Sequence, residues 1–189
     1  MRIETNVMPR IKSLCESLRV DENEILIKAR LLISLYHEIV WGSLKNGNPG
    51  TAGTNEKKYA EAVTYLSVFP STVEKKELQH NLLNIFQAEW YEELLMGALN
   101  YVSLYKHNSV LYTRILNECY FLERTCSDKE LYGSLIIERS SYFKRKKEAI
   151  LLFGVALWGI AIPKRINQSC AVDPHSAFLK LIDETGELS

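Results

Sequence analysis

Residues 149–162, AILLFGVALWGIAI, form a stretch of fourteen positions with no charged side chain. A run this apolar is not left in water, and a bilayer-spanning helix needs about twenty such residues. Its length therefore predicts a core helix, with Trp158 buried beside Leu152, Phe153 and Leu157. Pro163 marks the expected end, because proline removes a backbone donor and clashes with the preceding turn. Directly before the run stand Lys144, Arg145, Lys146 and Lys147. One helix is thus expected to be basic at its front and buried at its back.

The rest of the chain keeps the same helical period. Pro9 opens a first helix with Ile11, Leu14, Cys15 and Leu18 on one face. Asp21, with Glu24 three positions on, reads as the cap of a second. That helix carries Ile25, Ala29, Leu32, Tyr36 and Val40 inward and ends near Leu44. Residues 45–55, KNGNPGTAGTN, read as a loop, since Gly, Pro and Asn break helical order. A helix over Glu56 to Val68 follows and Pro70 ends it.

Ser71 with Glu74 has the spacing of a capping box. It predicts a long helix to about Lys106, with a stripe of Leu83, Phe86, Trp90, Leu94, Gly97, Tyr101 and Leu104. A helix from about Ser109 to Glu123 comes next, then a second capping box at Ser127 and Glu130. Asp173-Pro174 caps a short final helix to Glu184. No segment alternates with the period of a strand. The fold class expected is all-α: a helical N-terminal part (1–106) packed on a C-terminal helix-turn-helix part (107–165). A tail with one short helix (166–189) follows.

Composition narrows the function classes. Hydrophobic residues make up 47% and charged residues 24%, which suits a packed domain and excludes disorder. The formal net charge is zero, so no global field attracts polyanions. The distribution is uneven: residues 107–165 carry ten basic and six acidic groups, while residues 166–189 carry one and four. The four cysteines, Cys15, Cys119, Cys126 and Cys170, form no CxxC pair. That argues for thiols in a reducing compartment, against zinc and against a disulfide scaffold. The first ten residues lack the apolar run of a signal peptide, so the location expected is cytoplasmic, with no membrane partner.

No metal, cofactor or catalytic constellation is legible, and no enzymatic activity is expected. Glu77 and His80 make a single E-x-x-H, whereas di-iron bundles need two with further carboxylates. After His37-Glu38, Trp41 stands where a zinc protease needs its second histidine. Glu89, Glu92 and Glu93 read as a solvated helix face without a nucleophile nearby. Phosphate-cradling glycine motifs are missing as well.

The informative segment is Ser127 to Gly154, SDKELYGSLIIERSSYFKRKKEAILLFG. A helix-turn-helix needs a short support helix, a tight turn and a second helix with polar and basic groups at its start. Here the support helix is expected over Asp128 to Leu135, the turn at Ile136-Ile137-Glu138, and the second helix from Arg139. Arg139, Ser140, Ser141, Lys144, Arg145, Lys146 and Lys147 are the expected DNA-binding residues. Lysine and arginine neutralise phosphates, arginine also reads guanine edges, and serine bonds phosphate oxygens. Tyr142 and Ala149, seven apart, should face inward, and Lys144 and Lys147 should share an outward face.

The stretch Ser140-Ser141-Tyr142-Phe143-Lys144-Arg145-Lys146-Lys147-Glu148-Ala149 resembles the recognition helix of ArpU-type phage transcriptional regulators. These in turn resemble the promoter-reading C-terminal domain of sigma factors. The resemblance spans roughly residues 109–162. It implies sequence-specific binding to double-stranded DNA and control of phage late genes, with a second copy or RNA polymerase as a further partner. The chain departs from the pattern at Tyr132, Ile136 and Glu138, where a small residue, a glycine and a capping serine are usual. The alternative is a helical adaptor or assembly protein with no nucleic-acid role, binding through the Trp90 stripe.

Overall fold

A computed structural model describes residues 7–45 and 56–166. Most of the expected loop at 45–55, the expected helix from Asp173 to Glu184 and Cys170 lie outside the described residues. Of the described residues 82% are helical, and none of them is in a strand. The fold is all-α.

The N-terminal elements form where the local signals place them. Helix α1 (Met8–Ser17) has Pro9 in its first turn and buries Ile11, Leu14 and Cys15. Helix α2 (Glu22–Tyr36) starts at Asp21, whose carboxylate accepts from the Glu24 amide at 2.7 Å. It continues through a π turn (His37–Trp41) into α3 (Gly42–Lys45). The predicted inward set of Ile25, Ala29, Leu32, Tyr36 and Val40 is buried throughout. Helix α4 (Glu56–Val68) ends just before Pro70.

The single long helix expected from Ser71 to Lys106 is two helices, α5 (Lys75–Ile85) and α6 (Ala88–Leu104). Ser71 and Glu74 form no box: Glu74 itself is the N-cap and makes no side-chain cap bond. Phe86 and Gln87 are extended (ψ 137° and 146°) and break the rod. Phe86 turns into the core and meets the Tyr91 ring edge-on at 5.8 Å. The break also resets the helical phase, so the expected stripe does not exist as one surface. Phe86, Leu94 and Tyr101 are buried, whereas Leu83 and Leu104 are exposed. The residues α6 does bury include Tyr91, Leu95, Ala98, Leu99 and Val102.

Helix α7 (Ser109–Leu116) runs on through a π turn (Asn117–Phe121). Helix α8 (Asp128–Leu135) has the bounds predicted for the support helix, and helix α9 (Arg139–Ala156) starts where the second helix was expected. Helix α9 passes through a third π turn (Leu157–Ala161) into α10 (Ile162–Ile166). Pro163 therefore does not stop the helix. The π turn before it has already interrupted the regular ladder, so the missing donor is tolerated there.

Helix α9 organises the molecule, packing against α1, α2, α6 and α7. Leu151, Leu152, Phe153, Val155, Ala156 and Leu157 are fully buried, as the apolar run predicts. Trp158, expected to be buried, is only partly so; its indole N–H donates to the Leu66 carbonyl of α4 at 3.1 Å. The continuous helix Arg139–Ile166 has 28 residues and is long and apolar enough to cross a membrane by length and composition. Within the fold, 72% of its apolar window is covered by the chain itself. At Gly154 the packing against α2 is so close that an added Cβ would lie 2.4 Å from Ile25 Cγ2.

The two parts expected at 1–106 and 107–165 share this helix. Residues from Val7 to Ile162 build one large core, and the back half of α9 lies in it. A second, small cluster of Leu111, Ile115, Leu131 and Tyr142 joins α7, α8 and the front of α9.

Candidate nucleic-acid interface

The α8–turn–α9 unit is built from local signals. The Ser127 hydroxyl accepts from the Glu130 amide at 3.3 Å, and Glu130 Oε2 accepts from the Ser127 amide at 2.8 Å. This reciprocal capping box starts α8. Helix α8 ends at Ile136, which is left-handed (φ 54°, ψ 48°) and 92% exposed. Amides of Ile136 and Ile137 turn back to the carbonyls of Gly133 and Tyr132, closing the helix end. Glu138 is extended and leads into α9 without a side-chain cap bond. A β-branched residue at positive φ is unusual, and Ile136 occupies the position where glycine was the usual choice.

Beneath the turn, Leu111 and Ile115 of α7 meet Leu131 of α8 and Tyr142 of α9. A polar knot closes the other side. The Tyr142 hydroxyl and the Lys146 ammonium both donate to Asp128 Oδ1 at 2.6 Å. The Cys119 thiol lies 3.2 Å from the Tyr142 hydroxyl, and Lys146 sits 5.0 Å over the Tyr120 ring. Burial pushes the Asp128 carboxyl up, but the Lys146 and Tyr142 bonds outweigh it and hold the carboxyl below its usual range. Burial pushes the Cys119 thiol and the Tyr142 hydroxyl up, so both stay protonated. Asp128, the first residue of α8, is thus tied to the first and second turns of α9.

The seven expected DNA-binding residues divide by this geometry. Arg139, Ser140, Ser141, Lys144 and Lys147 are exposed, and Lys144 and Lys147 lie three apart on the outward side. Arg145 turns inward instead: it is 4% exposed, and its guanidinium donates to Glu148 Oε2 at 2.5 Å. Lys146 lies against Asp128. The helical period that points Tyr142 and Ala149 inward does the same to Arg145, which lies three and four positions from them. Glu148 is fully buried, and the Tyr112 hydroxyl donates to the same Oε2 at 2.8 Å. Burial raises the Glu148 carboxyl, with Tyr112 and Arg145 opposing the shift.

Phe143, unassigned by the sequence reading, belongs to the exposed face. It is 42% exposed, with the Arg139 guanidinium 5.7 Å over its ring. Its spacing from Arg139, i to i+4, was the available signal. Glu138 is exposed at the same helix tip. The face therefore offers three cations, two hydroxyls, one aromatic edge and one carboxylate on the first turns of a rigidly seated helix.

The other constellations have ordinary partners. His80 bonds Asn84, and His37 bonds the Leu122 carbonyl at 2.8 Å. Glu92 accepts from Tyr36, and Glu93 pairs with Arg165. Among the described residues no group of His, Cys, Asp and Glu is placed to hold a metal ion. Comparison with family models, characterised proteins and solved structures finds no match to this chain.

Proposed function

We propose that the protein is a sequence-specific DNA-binding regulator that seats the front of α9 in the major groove of a duplex. One observation carries this reading: a support helix, a tight turn and a second helix whose first turns expose Arg139, Ser140, Ser141, Lys144 and Lys147. Helix α7 completes a three-helix unit with its own small core, which holds that surface rigid. Lys144 and Lys147 neutralise phosphates, and the serine hydroxyls bond phosphate oxygens. Arg139, nearest the helix start, reads a guanine edge. Arg145 and Lys146 act on the inner side, where they seat the helix. The likeness of Ser140–Ala149 to phage regulators supports a role in phage or prophage transcription.

The test is a gel shift at two salt concentrations with the Lys144→Glu, Lys147→Glu double variant. Each lost phosphate contact should lower the slope of log affinity against log salt by about 0.9. A folded double variant that binds duplex DNA as tightly as the parent would falsify the reading.

The adaptor reading keeps one observation of its own. Val110 and Leu122 are 72% and 49% exposed on a cleft that Ser103, Thr113 and Asn117 also line. Under that reading Val110→Asp abolishes capture of a protein partner, and the Lys144 and Lys147 changes are silent.

A further inference from the structure

We propose that Phe143, stacked against Arg139, reads the C5-methyl group of a thymine within two base steps of a guanine; this rests on the groove-binding reading above. Among the described residues nine large apolar side chains are exposed, and Phe143, at 42%, is the aromatic one among them. It is not loosely held. On one side its ring meets the Tyr142 ring edge-on at 5.3 Å. Tyr142 is fully buried and its hydroxyl donates to Asp128 at 2.6 Å, so this wall is fixed. On the other side the Arg139 guanidinium lies 5.7 Å over the ring. These two contacts bias the ring toward this orientation before any ligand arrives.

The surroundings choose the partner. Arg139, Lys144 and Lys147 are exposed about Phe143, which suits a polyanion and opposes an apolar protein groove. On the major-groove edge of a base pair the one apolar group is the thymine methyl. The Arg139 fork matches guanine O6 and N7 bidentately. A separation of 5.7 Å between the two groups lies between one and two base steps of about 3.4 Å each. Glu138, exposed at the same tip, would be repelled by phosphates but accepts from a cytosine amino group. The tip therefore suits base edges, and the lysines suit the backbone.

The experiment uses the full chain. A binding duplex is selected from a random pool, and its thymines are replaced singly by deoxyuridine, which removes the methyl and leaves pairing intact. At one thymine within two steps of a guanine, parent affinity should fall about fourfold, the worth of one buried methyl. Phe143→Ala, with helix content checked by circular dichroism, should bind the thymine and deoxyuridine duplexes equally. The proposal is overturned if no deoxyuridine weakens the parent, or if Phe143→Ala keeps the discrimination. If the parent still binds with a salt slope that Lys144→Glu and Lys147→Glu reduce, only the Phe143 assignment falls. If the parent enriches no duplex, the groove reading falls with it.

Discussion

Arg145→Ala separates the inward from the outward half of the basic run. In the structure the Arg145 and Glu148 side chains are 5% and 0% exposed, with Nη1 and Oε2 2.5 Å apart. Removing one member of a buried pair leaves the other charge uncompensated, which costs about 3–5 kcal/mol. Tyr112 still donates to Glu148 Oε2 in the variant, whereas Oε1 has no hydrogen-bond partner among the described residues. The loss should therefore sit near the lower end, about 3 kcal/mol. For a chain of this size that is a fall in melting temperature of about 6–12 °C.

The pH dependence follows from Glu148. Burial raises its folded carboxyl above the ordinary value of 4.5, with Tyr112 and Arg145 opposing. The folded state then holds the proton more tightly than the unfolded state. Stability from this group falls as pH rises from the ordinary carboxyl range through the raised folded value. Without Arg145 the folded value moves higher still. The deficit of the variant should grow as pH rises through the raised carboxyl range and shrink on acidification. Thermal melts followed by circular dichroism over a pH series measure this. Arg145→Met with Glu148→Leu and Tyr112→Phe, which removes the hydroxyl that donates to Glu148, should recover most of the loss, since an apolar cluster of similar volume is often neutral. A loss under about 1 kcal/mol, with a DNA salt slope reduced by about one, would refute the burial and return Arg145 to the phosphate-facing set.

Three further changes probe the frame. Ile136→Gly should stabilise by about 0.5–1 kcal/mol, because the left-handed backbone strains a β-branched residue and the exposed side chain loses no packing; an unchanged urea midpoint would argue against strain there. Gly154→Ala should destabilise by about 1–3 kcal/mol, since its Cβ would press on Ile25 Cγ2 at 2.4 Å and on the Ile25 carbonyl at 3.3 Å. A variant as stable as the parent would mean that α2 and α9 separate freely. Ser127→Ala removes the α8 capping box and should cost about 1 kcal/mol in chemical denaturation, while binding chemistry on α9 is untouched.

Local chemistry alone determined much of this chain. Proline at the start of α1, the Asp21 cap and the Ser127–Glu130 box act within one turn of backbone, so they are legible without any partner. So were the bounds of α8, the start of α9, and the burial of Leu152, Phe153 and Leu157. The face of α9 was half legible: periodicity placed Tyr142 and Ala149 inward and Lys144 and Lys147 outward. What only tertiary structure decided are the exceptions to those signals. Ser71 and Glu74 match a capping box, yet the fold turns at Pro70 and starts α5 later. The stripe from Leu83 to Leu104 looks continuous until Phe86 leaves the helix to pack on Tyr91. Lys146 reads as a cation for a groove until Asp128 of α8 is brought beside it, and Arg145 until packing buries it together with Glu148 of its own helix. A helix surface can be counted from sequence. Which charges on it meet water depends on which face other helices cover and on carboxylates such as Asp128 supplied from them, and both follow from the packing of the whole chain.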